Sequence, residues 1–188
     1  KTIGVAVSDR SKIIATPLSI IQRKGINKDL IVLKDILNEY EIGGFILGLP
    51  ISLDYSENKL SKFVDEIKNE FNLENNNICL SGFSQGCMMS INLGLTSNEK
   101  FNCVIGFSGK IINQEDLKSR KKVSTKTLLI HGELDQVVQP HYMLEAKDFF
   151  IRNNIELETH LIKNCDHNIP VEASSIALNY ILKRFSIS

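Results

Sequence analysis

A serine stands between two glycines in Gly82-Phe83-Ser84-Gln85-Gly86, directly after the apolar run Ile78-Cys79-Leu80. A serine hydroxyl is a weak nucleophile at neutral pH until a base takes its proton, and that base works best when a third group fixes its tautomer. The G-x-S-x-G spacing contributes geometry. Glycines at 82 and 86 let the chain turn sharply from a strand into a helix, so that Ser84 projects above the sheet edge. The backbone N–H of Gln85 then points to where an oxyanion would form. The chemistry this permits is acyl transfer. Serines between glycines also occur in inert turns, so the pentapeptide carries weight only together with its partners.

Two downstream segments offer partners. Thr127 to Val138 (TLLIHGELDQVV) is an apolar strand that ends in His131-Gly132 and then presents Asp135 in a loop. Ligands and catalytic groups gather at the carboxyl ends of parallel strands, which makes Asp135 a candidate orienting acid. A loop aspartate also commonly starts a turn or caps a helix. Leu161 to Pro170 (LIKNCDHNIP) is a strand followed by a loop carrying His167, with Asp166 beside it as a rival acid. His167 has the alternative of being an ordinary surface histidine. His131, His141 and His160 compete as bases, but His160 falls inside a strand, His131 at a strand end ahead of the acid, and His141 near a helix start. Only His167 follows both the last strand and the acid. Ser84, Asp135, His167 is the chain order of α/β-hydrolase triads.

These residues need a scaffold, and the rest of the chain predicts one. Lys1 to Val7 and Ile13 to Ile21 are β-rich runs around the turn-like Ser8 to Lys12, which reads as a hairpin with Pro17 on an edge strand. Asn27 to Tyr40 carries Leu30, Ile31, Leu33, Ile36 and Leu37 on a helical stripe, and Phe45 to Leu49 is a strand stopped by Pro50. Ser56 to Phe71 is amphipathic with Ser56 as its N-cap, and Asn72 to Asn77 reads as a tight surface connection. Strands are predicted at Ile78 to Ser81, Asn102 to Phe107, Thr125 to His131 and Ile155 to Ile162, with helices between them and after Pro170. Met88, Met89, Ile91 and Leu93 suit a helix packed under the sheet, which accounts for the two methionines better than an acyl channel does. Apolar strands alternating with helical patterns predict an α/β fold with a mostly parallel sheet.

The 188 residues, 43% of them hydrophobic, suffice for one domain or two small ones with a packed core. Lys plus Arg total 22 and Asp plus Glu total 22, so no basic field points to nucleic acid or an anionic membrane. Cys79, Cys87, Cys103 and Cys165 lack C-x-x-C spacing and read as reduced core thiols of a cytoplasmic protein rather than a disulfide framework or metal site. No apolar run approaches the roughly 18 residues of a membrane helix, and no signal peptide opens the chain. Starting on Lys1 within a strand-like run, the sequence reads as lacking its own N-terminus.

Gly82 to Met89 (GFSQGCMM), Leu129 to Pro140 (LIHGELDQVVQP) and His167 to Pro170 resemble the phospholipase/carboxylesterase family that includes the acyl-protein thioesterases, over about residues 72–185. The resemblance implies hydrolysis of small-molecule or acyl-protein esters or thioesters. Ser84 is then the nucleophile, His167 the base, Asp135 the orienter, and no metal or organic cofactor is required. Members of that family place a strand ending in a His-Gly-type loop ahead of the serine, to supply a second oxyanion N–H. Here the histidine-glycine pair, His131-Gly132, lies downstream instead.

The upstream part resembles another family. KTIGVAVSD (Lys1 to Asp9), ATPLSII (Ala15 to Ile21) and FILGLP (Phe45 to Pro50) are similar to the Holliday-junction-resolvase-like pre-16S rRNA nucleases, which have an RNase H-like fold. That resemblance implies acidic residues holding divalent metal against phosphate. The family's first acid precedes the segment equivalent to Lys1, and Asp9 reads as a turn residue. The chain therefore reads as a chimera of two truncated families: 1–50 RNase H-like, 51–71 a seam assignable to either, and 72–188 the C-terminal part of an α/β-hydrolase. Three functions follow: a serine hydrolase weakened by an incomplete oxyanion hole, a resolvase-like metal-dependent nuclease, or a catalytically silent binding domain.

Overall fold

The computed structural model of the protein describes residues 2–8, 15–40, 45–48 and 57–186. Asp9, Pro50 and Ser56, read from sequence as a turn residue, a strand stop and a helix cap, lie outside the described residues.

The chain opens with an antiparallel hairpin of β1 (Thr2–Ser8) and β2 (Ala15–Gln22). The pairing slips by one residue between Val5 and Ala6, next to Pro17. Proline has no N–H to give a ladder, and in a two-stranded ribbon every strand is an edge where this is tolerated. Helix α1 (Ile26–Leu37) follows at once. The buried Asp29 carboxylate accepts from Lys24 N–H at 2.8 Å and Arg23 Nε at 3.2 Å, tying the end of β2 to the first helical turn.

The main sheet contains β3 (Phe45–Gly48), β4 (Ile78–Phe83), β5 (Cys103–Phe107), β6 (Thr127–Gly132) and β7 (Leu157–Ile162) in that spatial order, each pairing parallel to the next. Between and after them run α2 (Glu57–Phe71), α3 (Gln85–Thr96), α4 (Gln114–Arg120), α5 (His141–Arg152) and α6 (Val171–Arg184). Successive strand residues point to opposite faces. Accordingly Ile78, Leu80, Val104 and Leu129 join Val64, Met89, Ile91, Leu117 and Phe150 in one buried cluster. Cys79, Cys103, Ile105, Leu128 and Ile130 join Ala173, Ala177 and Tyr180 of α6 in another. Burial on both faces explains why β4, β5 and β6 read as near-continuous apolar runs. All four cysteines are buried free thiols.

The element pattern agrees with the sequence expectation, with two instructive shifts. β4 runs to Phe83 rather than Ser81, because Gly82 and Phe83 still pair with Gly106 and Phe107 of β5. β6 begins at Thr127 rather than Thr125, whose buried hydroxyl donates to the Gly94 carbonyl of α3. Asn72 to Asn77 forms a turn and a short 3-10 segment, in which Glu74 and Asn77 cap each other. Among the described residues no helix is long and apolar enough to cross a membrane.

Candidate active site

Ser84 sits between the carboxyl end of β4 and the first residue of α3, with φ 53° and ψ −115°. Positive φ is strained for a side-chain-bearing residue, at a cost of about 1–3 kcal/mol, and persists only where the surroundings hold it. Ser84 N–H donates to Phe107 O at 2.8 Å, and Ser84 O accepts from Met88 N–H at 3.2 Å. A Cβ on Gly82 would collide with the Gly86 carbonyl and approach Cys87 N at 2.7 Å, so this tight strand-to-helix crossing requires glycine. Gln85, as the first residue of α3, contributes one of the first-turn N–H groups that have no partner within a helix and lie at its positive end.

Asp135 and His167 come from loops 32 positions apart, and the Nδ1–Oδ2 distance is 2.7 Å. A carboxylate only accepts, so Nδ1 carries a proton, and in the neutral ring Nε2 is then the acceptor. The Asp135 side chain is fully enclosed, whereas that of His167 is 18% exposed. The other Asp135 oxygen, Oδ1, accepts from Val137 N–H and Val138 N–H, each at 2.9 Å. Burial pushes the Asp135 carboxyl up, but the hydrogen bonds from His167 and from the Val138 and Val137 amides outweigh it and hold it below the ordinary carboxylate value.

The loops carrying acid and base are fastened to one another. Leu134 N–H donates to Cys165 O at 2.8 Å, Glu133 N–H to Ile162 O at 2.9 Å, and Gly132 packs so closely on the Cys165 and Asp166 carbonyls that a side chain there would overlap them. His167 in turn lies against Phe83, the residue preceding the serine, with ring centroids 4.6 Å apart. Beneath the turn, burial raises the Cys87 thiol to about 12, offset in part by the Gly109 amide.

Of the residues predicted from sequence, His167 and Asp135 share a hydrogen bond, and Gln85 adjoins Ser84 at the start of α3. Among the described residues no hydrogen bond joins the Ser84 hydroxyl to His167; the ring of Phe83, the last residue of β4, packs against His167. The rival acid Asp166 accepts from Asn168 instead. Among the rival bases, His160 pairs with Glu158 at 2.9 Å and His141 lies 3.8 Å from Glu145. His131 is buried beside Asp135, a placement that sequence reasoning did not anticipate. The i, i+4 spacing of His131 and Asp135 was the available signal. Met89 is buried in the core, as the packing expectation had it. No group of three or more His, Cys, Asp or Glu able to hold a metal ion occurs among the described residues.

Comparison with known proteins divides the chain unevenly. The phospholipase/carboxylesterase family profile matches residues 52–184, and the Holliday junction resolvase profile matches residues 1–80. A protein of Thermoanaerobacter pseudethanolicus named as a pre-16S rRNA nuclease is 42% identical over 77 residues, covering 39% of this chain and 55% of the relative. The chain thus spans about half the length of the curated relatives it matches. Among solved structures, esterase PE8 superposes with a TM-score of 0.65 at 27% identity, covering 71% of this chain and 68% of that one. Arabidopsis thaliana SOBER1 superposes with a TM-score of 0.62 at 20% identity, covering 72% and 67%, and shares the fold.

Proposed function

From the premise that the chain belongs, over residues 52–184, to the phospholipase/carboxylesterase family, we propose that it is a serine hydrolase of carboxylic esters or thioesters. Ser84 is the nucleophile, His167 the general base and Asp135 the orienting acid. The observation that carries this reading is the His167–Asp135 hydrogen bond of 2.7 Å, on a ring packed against the residue preceding Ser84.

In this mechanism the Ser84 hydroxyl gives its proton to His167 Nε2 as Oγ attacks the carbonyl carbon, and the Gln85 N–H stabilises the resulting oxyanion. Collapse expels the alcohol or thiol, which takes the proton from the imidazolium, and leaves an acyl-Ser84 ester. Water activated by His167 then releases the acid. Leu134, Val137 and Ile169, each exposed and close in sequence to Asp135 or His167, suit an apolar acyl group at the rim. Loss of one oxyanion donor typically slows turnover about 100- to 1000-fold, so a hole built on Gln85 alone gives slow turnover. We read 1–50 as a resolvase-like segment with a seam within 51–71; its strand β3 pairs with β4.

Labelling with a fluorophosphonate probe tests the assignment, together with hydrolysis of short-chain p-nitrophenyl esters. The folded protein is expected to label at one serine, and Ser84→Ala to abolish both labelling and hydrolysis. If wild type fails to label, or Ser84→Ala behaves as wild type, the reading is wrong. The match of residues 1–80 to resolvases favours a second reading, cleavage of nucleic acid. Incubation with branched DNA and Mg2+ decides it, and metal-dependent cleavage would establish that activity.

A further inference from the structure

His131 ends buried, 2% exposed, at the carboxyl end of β6, and its ring turns back over the loop that it opens. Its Nε2 lies 2.6 Å from the Val138 carbonyl oxygen and 3.4 Å from Asp135 Oδ2. A carbonyl oxygen only accepts, so Nε2 must carry a proton and donate it. The loop from 132 to 138 is thereby closed at several points. Asp135 N–H reaches Gly132 O at 3.3 Å, and Val137 N–H and Val138 N–H reach Asp135 Oδ1. The imidazole of His131 then ties the far end of the loop, at Val138 O, back to the strand. Both imidazoles converge on one oxygen, Asp135 Oδ2, with His167 Nδ1 at 2.7 Å and His131 Nε2 at 3.4 Å.

We infer that His131 is a positioning residue: its Nε2–H clamps the Val138 carbonyl and flanks Asp135 Oδ2, holding that carboxylate in the orientation that accepts from His167. It never touches a reacting atom. Its effect passes through Asp135 to the tautomer of His167. Without the clamp, the Val138 carbonyl loses its buried donor and the far end of the loop carrying Asp135 loses its tie to β6, leaving only the near end held by Asp135 N–H on Gly132 O. A hydrogen bond between an enclosed carboxylate and a part-exposed imidazole depends on that tie, and a misplacement near 1 Å in such a site can slow turnover about 100-fold. The inference rests on the proposed roles of Ser84, His167 and Asp135, but its structural claim concerns the Asp135–His167 pair alone.

The test compares His131→Gln, whose amide can donate to the same carbonyl, with His131→Asn, which is too short to reach it, and His131→Phe, which fills the space without donating. In proton NMR of 15N-histidine-labelled full-length protein, wild type is expected to show a deshielded His167 Nδ1–H signal that disappears in Asp135→Asn. That signal should persist in the Gln variant and vanish in the Asn and Phe variants while thermal unfolding stays cooperative. On a p-nitrophenyl ester, kcat should fall about 10- to 100-fold in the Asn and Phe variants with KM within about twofold, and recover to within about threefold in the Gln variant. A His167 signal retained in both Asn and Phe variants overturns the inference, as does a Gln variant as impaired as Phe. If Phe fails to fold, the Gln and Asn pair decides the matter. If wild type hydrolyses no ester, the functional reading fails while the NMR comparison still decides the role of His131.

Discussion

One oxygen of the Asp135 carboxylate accepts the Val137 and Val138 amides while the other accepts His167 Nδ1–H, so a single side chain braces its own loop and holds the His167 ring. The turn-forming reading of this residue is met by Oδ1, while Oδ2 makes the hydrogen bond on which the proposed orienting role rests. In Asp135→Asn the amide oxygen can still serve the turn, but its NH2 cannot accept from His167, so kcat should drop roughly 10^4-fold, as measured by ester hydrolysis. The carboxyl is held below its ordinary value, so its stabilising effect is present above the unfolded-state value near 3.9 and is lost as pH falls through the lower folded value. Urea titrations should therefore show the gap between wild type and Asp135→Asn widest near neutral pH and closing below about pH 4. A gap independent of pH would contradict that account. Cys87, raised to about 12 by burial, should resist iodoacetamide at pH 8 in the native protein and react once unfolded, as read by mass spectrometry.

Elements matter here chiefly at their ends. β4 reaches Phe83 because it keeps pairing with β5, and α3 starts at Gln85, which leaves Ser84 alone to make the turn. Gly82 pays no Cβ clash with Gly86 there, so Gly82→Ala should destabilise by about 2 kcal/mol or more and lower Tm by roughly 4–8 °C in a scanning melt. Gly132 ends β6 against the backbone carbonyls of Cys165 and Asp166. In Gly132→Ala the loop carrying His167 must move away, so fluorophosphonate labelling should fall while far-UV circular dichroism remains that of the folded sheet. Short apolar runs separated by helical patterns made the strands legible in the sequence. The strand ends were less so, because pairing of Gly82 and Phe83 with β5 is a long-range contact that local pattern does not carry.

Across the molecule, β4, β5 and β6 are enclosed between two apolar clusters, whereas among the described residues the β1–β2 hairpin packs chiefly against α1. Protection from hydrogen exchange should accordingly be highest in these three strands and lowest in the hairpin, and equal protection in both would contradict this arrangement. The Lys34–Glu70 ion pair of 2.9 Å links α1 to α2, but both side chains are solvent-exposed, which limits such a pair to about 1 kcal/mol or less. β3 lies at the edge of the sheet beside β4, with Phe45 to Gly48 opposite Ile78 to Ser81. Its apolar character marked it as a strand, but nothing in its residues said which strand it would join.

By itself the sequence determined the residue types and their order: a serine in a glycine-framed turn, an acid after one strand and a histidine after the last. Those features follow from local constraints, namely which residues fit a tight turn and which short apolar runs suit a buried strand. Only the tertiary structure decided that β3 lies beside β4, that Phe83 packs on His167, and that Asp135 sits between two imidazoles. These contacts depend on strand register and on the path of loops around a shared core. Register is a property of segments that meet in space, and no segment's own pattern specifies its partner.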